Sequence, residues 1–141
     1  MRDINKAIVQ RFFNEVVNRR DMAVADQIMA RDFVDHPGPP PGMASGLAGF
    51  KQFASMLLGA FPDLHLTVED LIEEGDRVAA RVTVNGTHRG LLMGQFPATG
   101  KHMTITGVDI FRLAGGKIVE RWNHRDLLGL MQQLGAVPKP A

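Results

Sequence analysis

Apolar residues return every fourth position at the start of the chain: Ile4, Ile8, Phe12 and Val16, with Val9, Phe13 and Val17 widening the stripe. That spacing predicts an amphipathic helix over 3–19. Asp21 is placed to cap a second short helix carrying Val24, Ile28 and Met29. A short extended piece follows over 32–36. It runs into Pro37-Gly38-Pro39-Pro40-Pro41-Gly42, which cannot be helical and reads as a stiff loop. Leu47, Phe50, Phe53, Met56, Leu57 and Phe61 mark a third helix, stopped by Pro62.

Beyond Pro62 the period changes from helical to twofold. Leu64, Leu66 and Val68 alternate with His65, Thr67 and Glu69, and Val78, Ala80, Val82 and Val84 alternate with polar or small residues. Glu74-Gly75-Asp76 between them is a turn. The stretch 101–113 is rich in Thr, Ile and Val, and Gly115-Gly116 turns it into a further strand over 117–124. Leu127 to Leu134 suits a terminal helix, followed by a Pro-containing tail over 137–141. Helices first and antiparallel strands afterwards predict an α+β domain over 1–141, its helices packed on the concave face of a curved antiparallel sheet.

Composition narrows the chemistry by exclusion. The 141 residues hold no cysteine, so disulfides, thiolate catalysis and Cys-based zinc sites are absent. Lys and Arg number 16 against 15 Asp and Glu, a net charge of +1 with no basic run, which argues against nucleic acid. The five histidines form no short-spaced ligand cluster, and there is neither a Walker loop nor a dinucleotide fingerprint, so neither metal nor cofactor is expected. The first residues lack an apolar signal core, and no apolar run approaches the ~20 residues of a membrane span. The expectation is a cytoplasmic protein without membrane partners.

Several strings narrow the family. Ala60-Phe61-Pro62-Asp63-Leu64, Glu74-Gly75-Asp76-Arg77-Val78 and Gly86-Thr87-His88-Arg89-Gly90 come in order. Pro97-Ala98-Thr99-Gly100-Lys101, Gly116-Lys117-Ile118-Val119-Glu120-Arg121-Trp122 and Gln133-Leu134-Gly135 follow. Together they resemble the SnoaL-like polyketide cyclases of the NTF2-like superfamily over nearly the whole chain. The resemblance implies a cone-shaped fold, a small hydrophobic substrate and a homodimer formed through the outer face of the sheet, where Ala79, Arg81, Thr83, Thr104 and Thr106 would lie. It also implies an acid/base Asp directly after the last-strand Trp. Asn123 stands there, and an amide can hydrogen-bond but cannot exchange a proton at neutral pH.

A more distant resemblance is to the ketosteroid isomerases. Their base position corresponds to Asp35-His36-Pro37, their oxyanion-stabilising Asp to Asp109 in Asp109-Ile110-Phe111-Arg112, and their first-helix Tyr to Phe12. The chain contains no Tyr.

These positions define the candidate site. His36 is the leading general base, since imidazole titrates near ~6.5; the plainer alternative is a loop histidine bonded to backbone. Asp109 shares a face with Met103, Ile105 and Phe111, and stands as the enolate stabiliser or as an ion-pair partner of Arg112 or Arg121. Asn123 would orient substrate. Phe12, Phe53, His88, Met103, Trp122 and His124 are the candidate substrate contacts, and Asp126 is either a helix cap or a pocket acid.

The function expected is a cofactor-free cyclase or isomerase that removes a proton next to a carbonyl. The alternatives are a small-hydrophobic-ligand binding protein on the same fold and an epoxide-opening hydrolase with a relay of Asp109, Arg121 and Asp126.

Overall fold

The computed structural model describes residues 4–138. The expected helix start at residue 3 and the end of the tail lie outside them. The helical half comprises α1 (Ile4–Arg11), a π-helical continuation over Phe12–Asn18, α2 (Met22–Ile28) and, after β1 (Met29–His36), α3 (Gly46–Ala60). Then come β2 (His65–Glu74), β3 (Arg77–Thr87), β4 (His102–Ala114), β5 (Lys117–Arg125) and α4 (Leu127–Leu134).

The first helix therefore departs from the uniform α-helix expected. From Phe12 its turns widen, and Phe12, Phe13 and Val16 all become fully buried. A wider turn aims more consecutive side chains at one side than an α-helical turn does. Asp21 caps α2 as expected, its carboxylate accepting from the Ala23 and Val24 amides.

The five strands form one sheet in the order β1-β5-β4-β3-β2. β2 to β5 pair antiparallel as successive hairpins, but β1 lies parallel to β5. The sheet is therefore mixed rather than wholly antiparallel. The chain between β1 and β2 carries α3 across to the opposite edge, so no hairpin dictates the direction of β1, and alternation along a strand does not name its partner. Register shifts between Val68 and Asp70, and between Arg112 and Leu113, interrupt the ladder. Such bulges bend a sheet, and this one curves around the helices.

The inner face carries Val78, Ala80, Val82 and Val84 of β3 and Met103, Ile105, Phe111 and Leu113 of β4, all buried. At one end the rings of Phe12, Phe13 and Phe111 meet edge to face, with centroids 5.1 to 5.6 Å apart. Each such pair contributes about 0.5–1.5 kcal/mol beyond area burial, so this end is solid core. Toward the other end the helices and the sheet diverge and leave a cavity.

Candidate active site

The cavity has a volume of about 490 Å³. Its walls come from α3, the π-helical turn, the inner faces of the strands, α4 and the Pro-rich loop after β1. Phe33, Phe50, Phe53, Leu64, Met103 and Ile105 are typical of the lining.

One wall differs. Arg121, Asn123 and Arg125 alternate along the inner face of β5, and Asp35 of β1 stands opposite Arg121 in register. Residues paired across strands point to the same face, so these four share it. Arg121 donates to Asp35 through Nε at 3.0 Å and Nη2 at 2.7 Å. This two-point geometry fixes both partners. Burial alone pulls the Arg121 guanidinium down; the hydrogen bonds and charge of Asp35, joined by the charge of Asp109, outweigh it and hold Arg121 above its ordinary value. Its guanidinium also lies 5.4 Å from the centre of the Phe12 ring and 5.6 Å from that of Phe50.

A second pair closes the other end of the wall. Arg125 donates to Asp109 through Nη1 at 2.6 Å and Nη2 at 3.0 Å. The Asp109 side chain is wholly enclosed, and Arg125, not Asp109, lines the cavity. Gly107 makes this possible. It lies opposite Arg125, and a Cβ there would meet the His124 carbonyl and sit 2.7 Å from Arg125 Cδ. With hydrogen in that place, Arg125 folds across β4 to reach Asp109.

Between the two pairs stands Asn123, opposite Asp109 in register. Its Oδ1 is buried and accepts no hydrogen bond among the described residues. A buried carbonyl without a donor costs about 1–3 kcal/mol, and the Asn123 residue lines the cavity between the two pairs.

The expected site residues fall on two faces. Asp109 and Asn123 come together on the inner side. His36 and Trp122 do not join them: they pair in register on the outer face, stacked with centroids 5.3 Å apart and planes within 13°. His36 Nε2 lies 2.7 Å from Glu120, which also accepts from Arg112 at 2.9 Å. The expected convergence of His36 and Asp109 on one cavity is thus corrected. Successive strand residues point to opposite faces, so Asp35 and Asn123 turn in where His36 and Trp122 turn out.

Asp109 is likewise corrected from free enolate stabiliser to anchor of Arg125, since its side chain is wholly enclosed and does not line the cavity. His124 pairs with exposed Val108 on the outer face. Phe12 is core beneath Arg121, whereas Phe53 and Met103 line the cavity as expected. His88 is fully buried against Phe61, with Nδ1 on Thr99 and Nε2 without a partner among the described residues. Asp126 caps α4 by accepting from the Gly129 amide, so the relay of Asp109, Arg121 and Asp126 is not assembled.

Asp35 and Arg125 were missed from sequence. Parity with buried Phe33 would have found Asp35, and parity with Asn123 would have found Arg125. Among the described residues no group of His, Asp and Glu is placed to hold a metal ion, and no helix is long and apolar enough to cross a membrane.

Comparison with known proteins agrees with this architecture. Residues 7–134 match the family described as SnoaL-like polyketide cyclase. A 91-residue stretch is 33% identical to aklanonic acid methyl ester cyclase DnrD of Streptomyces peucetius, covering 64% of this chain and 62% of that protein. Among solved structures, TsrD from Streptomyces laurentii superposes with a TM-score of 0.86 at 30% identity, over 97% of this chain and 98% of that one. IdmH from Streptomyces antibioticus gives a TM-score of 0.80 at 30% identity, over 93% and 98%.

Proposed function

This chain belongs to the SnoaL-like polyketide cyclase family, and on that premise we propose that it is an enzyme that removes a proton next to a carbonyl of a small hydrophobic substrate, leading to ring closure or isomerisation. The observation that carries this reading is the polar wall itself: a fixed carboxylate, an amide and a guanidinium facing one apolar cavity.

Asp35 is the base in this reading. Arg121 holds both of its oxygens, yet a carboxylate oxygen has two lone pairs, so each can still accept a proton. As the α-carbon loses its proton to Asp35, charge moves to the carbonyl oxygen. Asn123 Nδ2 and the Arg125 guanidinium supply donors for that oxygen. In a cyclisation the enolate carbon then bonds to a second carbonyl carbon of the same substrate. The resulting alkoxide recovers the proton held by Asp35, so no atom is gained or lost. In an isomerisation the proton returns to a different carbon. The reading uses proton transfer and hydrogen bonding alone and requires no cofactor. The name of DnrD, a methyl ester cyclase, supports ring closure as the outcome.

The test is deuterium uptake into the methyl group of 2-acetylnaphthalene in D₂O, followed by mass spectrometry. The protein should accelerate uptake over buffer, and Asp35→Asn should lower that acceleration by about 10²-fold or more. Binding of the ketone without accelerated uptake would instead support a carrier.

The same reading extends to assembly. We infer a homodimer through the outer face, where Ile72, Ala79, Ile110 and Trp122 form one row across four strands in register. Ile72 is 67% and Ile110 38% exposed, and a second copy would cover them.

A further inference from the structure

Every polar side chain of the cavity lies on one wall. Among the described residues that line it, only Asp35, Arg121, Asn123 and Arg125 carry polar side-chain atoms, and all four come from β1 and β5. The lining holds no Ser, Thr, Tyr, Gln, His or Lys. The facing walls are aliphatic, aromatic or thioether: Leu57 and Leu58 of α3, Leu64 before β2, Leu66 of β2, Val84 of β3 and Met103 of β4.

A ligand oxygen against those walls would leave water and find no side-chain partner. A ligand oxygen against β5 would find donors in Arg125 and Asn123 Nδ2, and a ligand hydroxyl or enol would find an acceptor in Asp35. The wall therefore supplies side-chain donors and a side-chain acceptor together, and the side chains of the remaining surface supply neither.

We infer that the ligand carries its oxygen atoms along one edge only: a carbonyl or enol on an alkyl, isoprenoid or unsubstituted aryl body. It is not a ring system with oxygen distributed around its perimeter. The cavity volume of about 490 Å³ accommodates a body of two fused rings or an equivalent branched chain. Met22, Met93 and Met103 in the lining adapt to the shape of such a body without demanding hydrogen bonds of it. The inference rests on the proposed reading that this cavity is the substrate site, and it fixes which side of the substrate faces the chemistry.

Two ketones that differ by one far-edge oxygen test it: 2-acetylnaphthalene and 6-acetyl-2-naphthol. Their dissociation constants are measured by calorimetry on the full chain and corrected for their difference in octanol–water partition. The hydroxylated ketone should bind roughly 10- to 100-fold more weakly, because its second oxygen is buried unpartnered. Asn123→Leu should weaken 2-acetylnaphthalene by about tenfold and leave 2-ethylnaphthalene, which has no oxygen, unchanged. Equal corrected affinity for the two ketones overturns the inference, as does an Asn123→Leu variant that binds the ketone as well as the parent does. The deuterium-uptake assay separates this from the reaction. Uptake with equal ketone affinities retains the chemistry and removes the one-edge ligand; preference without uptake does the reverse.

Discussion

Replacing Asp35 with leucine would strand a guanidinium in the protein interior. Only 7% of the Arg121 side chain is exposed, against 24% for Asp35, and the pair is held by hydrogen bonds of 3.0 and 2.7 Å. Removing one partner of such a pair leaves an uncompensated buried charge and costs about 3–5 kcal/mol. That is a large share of the roughly 5–15 kcal/mol available to an ordinary domain. With a urea slope of about 2 kcal/mol per molar, the unfolding midpoint of Asp35→Leu should fall by about 1.5–2.5 M. Arg121→Met should be destabilised less, because Asp35 is closer to solvent. The double variant is the decisive member. A methionine at 121 packs on Phe12 and Phe50, the rings that now face the guanidinium, and no charge is left behind. It should return to within about 1 kcal/mol of the parent while remaining inactive, since a buried pair replaced by apolar residues is often neutral. Urea unfolding followed by tryptophan fluorescence measures all four proteins. If Asp35→Leu is as stable as the parent, or the double variant no more stable than Asp35→Leu, the pair is not the buried unit described.

Further consequences follow from the two faces of β5. Gly107→Ala should push Arg125 off Asp109 and lower stability by about 1–3 kcal/mol; an unchanged urea midpoint would mean that Arg125 reaches Asp109 by another path. His36→Ala should leave deuterium uptake within about twofold of the parent, because His36 faces outward, whereas a 10²-fold loss would restore it as the base. Glu120 is held below the ordinary glutamate value, first by the hydrogen bond from His36 and then by that from Arg112. Its contribution to stability is therefore present above the unfolded-state value and lost as pH falls through the lowered folded value. Urea midpoints of the parent and Glu120→Gln should differ at pH 7 and converge on acidification below the glutamate range; a gap that widens contradicts the pairing. Ile110→Lys should shift the protein toward monomer in light scattering, and a parent that is monomeric at micromolar concentration removes the dimer.

The helices and hairpins were legible because their cause is local. The stripe from Ile4 to Val16, the Asp21 cap and the Gly75-Asp76 turn each act over a few residues, and α4 spans the residues expected of it. The parallel pairing of β1 was not legible, because partner choice depends on where α3 carries the chain. The widening of the first helix at Phe12 was hidden too, since an apolar stripe of neighbouring pairs suits either helix. In the site, Asn123 and Asp109 were found from the strings around them. His36 and Trp122 drew attention by residue type, and type does not say which face of a strand a side chain takes. Parity does. Phe33 is buried, so Asp35 two residues on shares its face and His36 does not.

The most direct measurement of the central claim is the crystal structure of the complex with 2-acetylnaphthalene. Its carbonyl oxygen should lie about 3 Å from Asn123 Nδ2 or the Arg125 guanidinium. Its methyl carbon should lie within about 3.5 Å of an Asp35 oxygen, and its rings should lie against Phe53 and Met103. A ketone bound on the outer face against Trp122, or inverted in the cavity with its oxygen toward Leu64, contradicts the account.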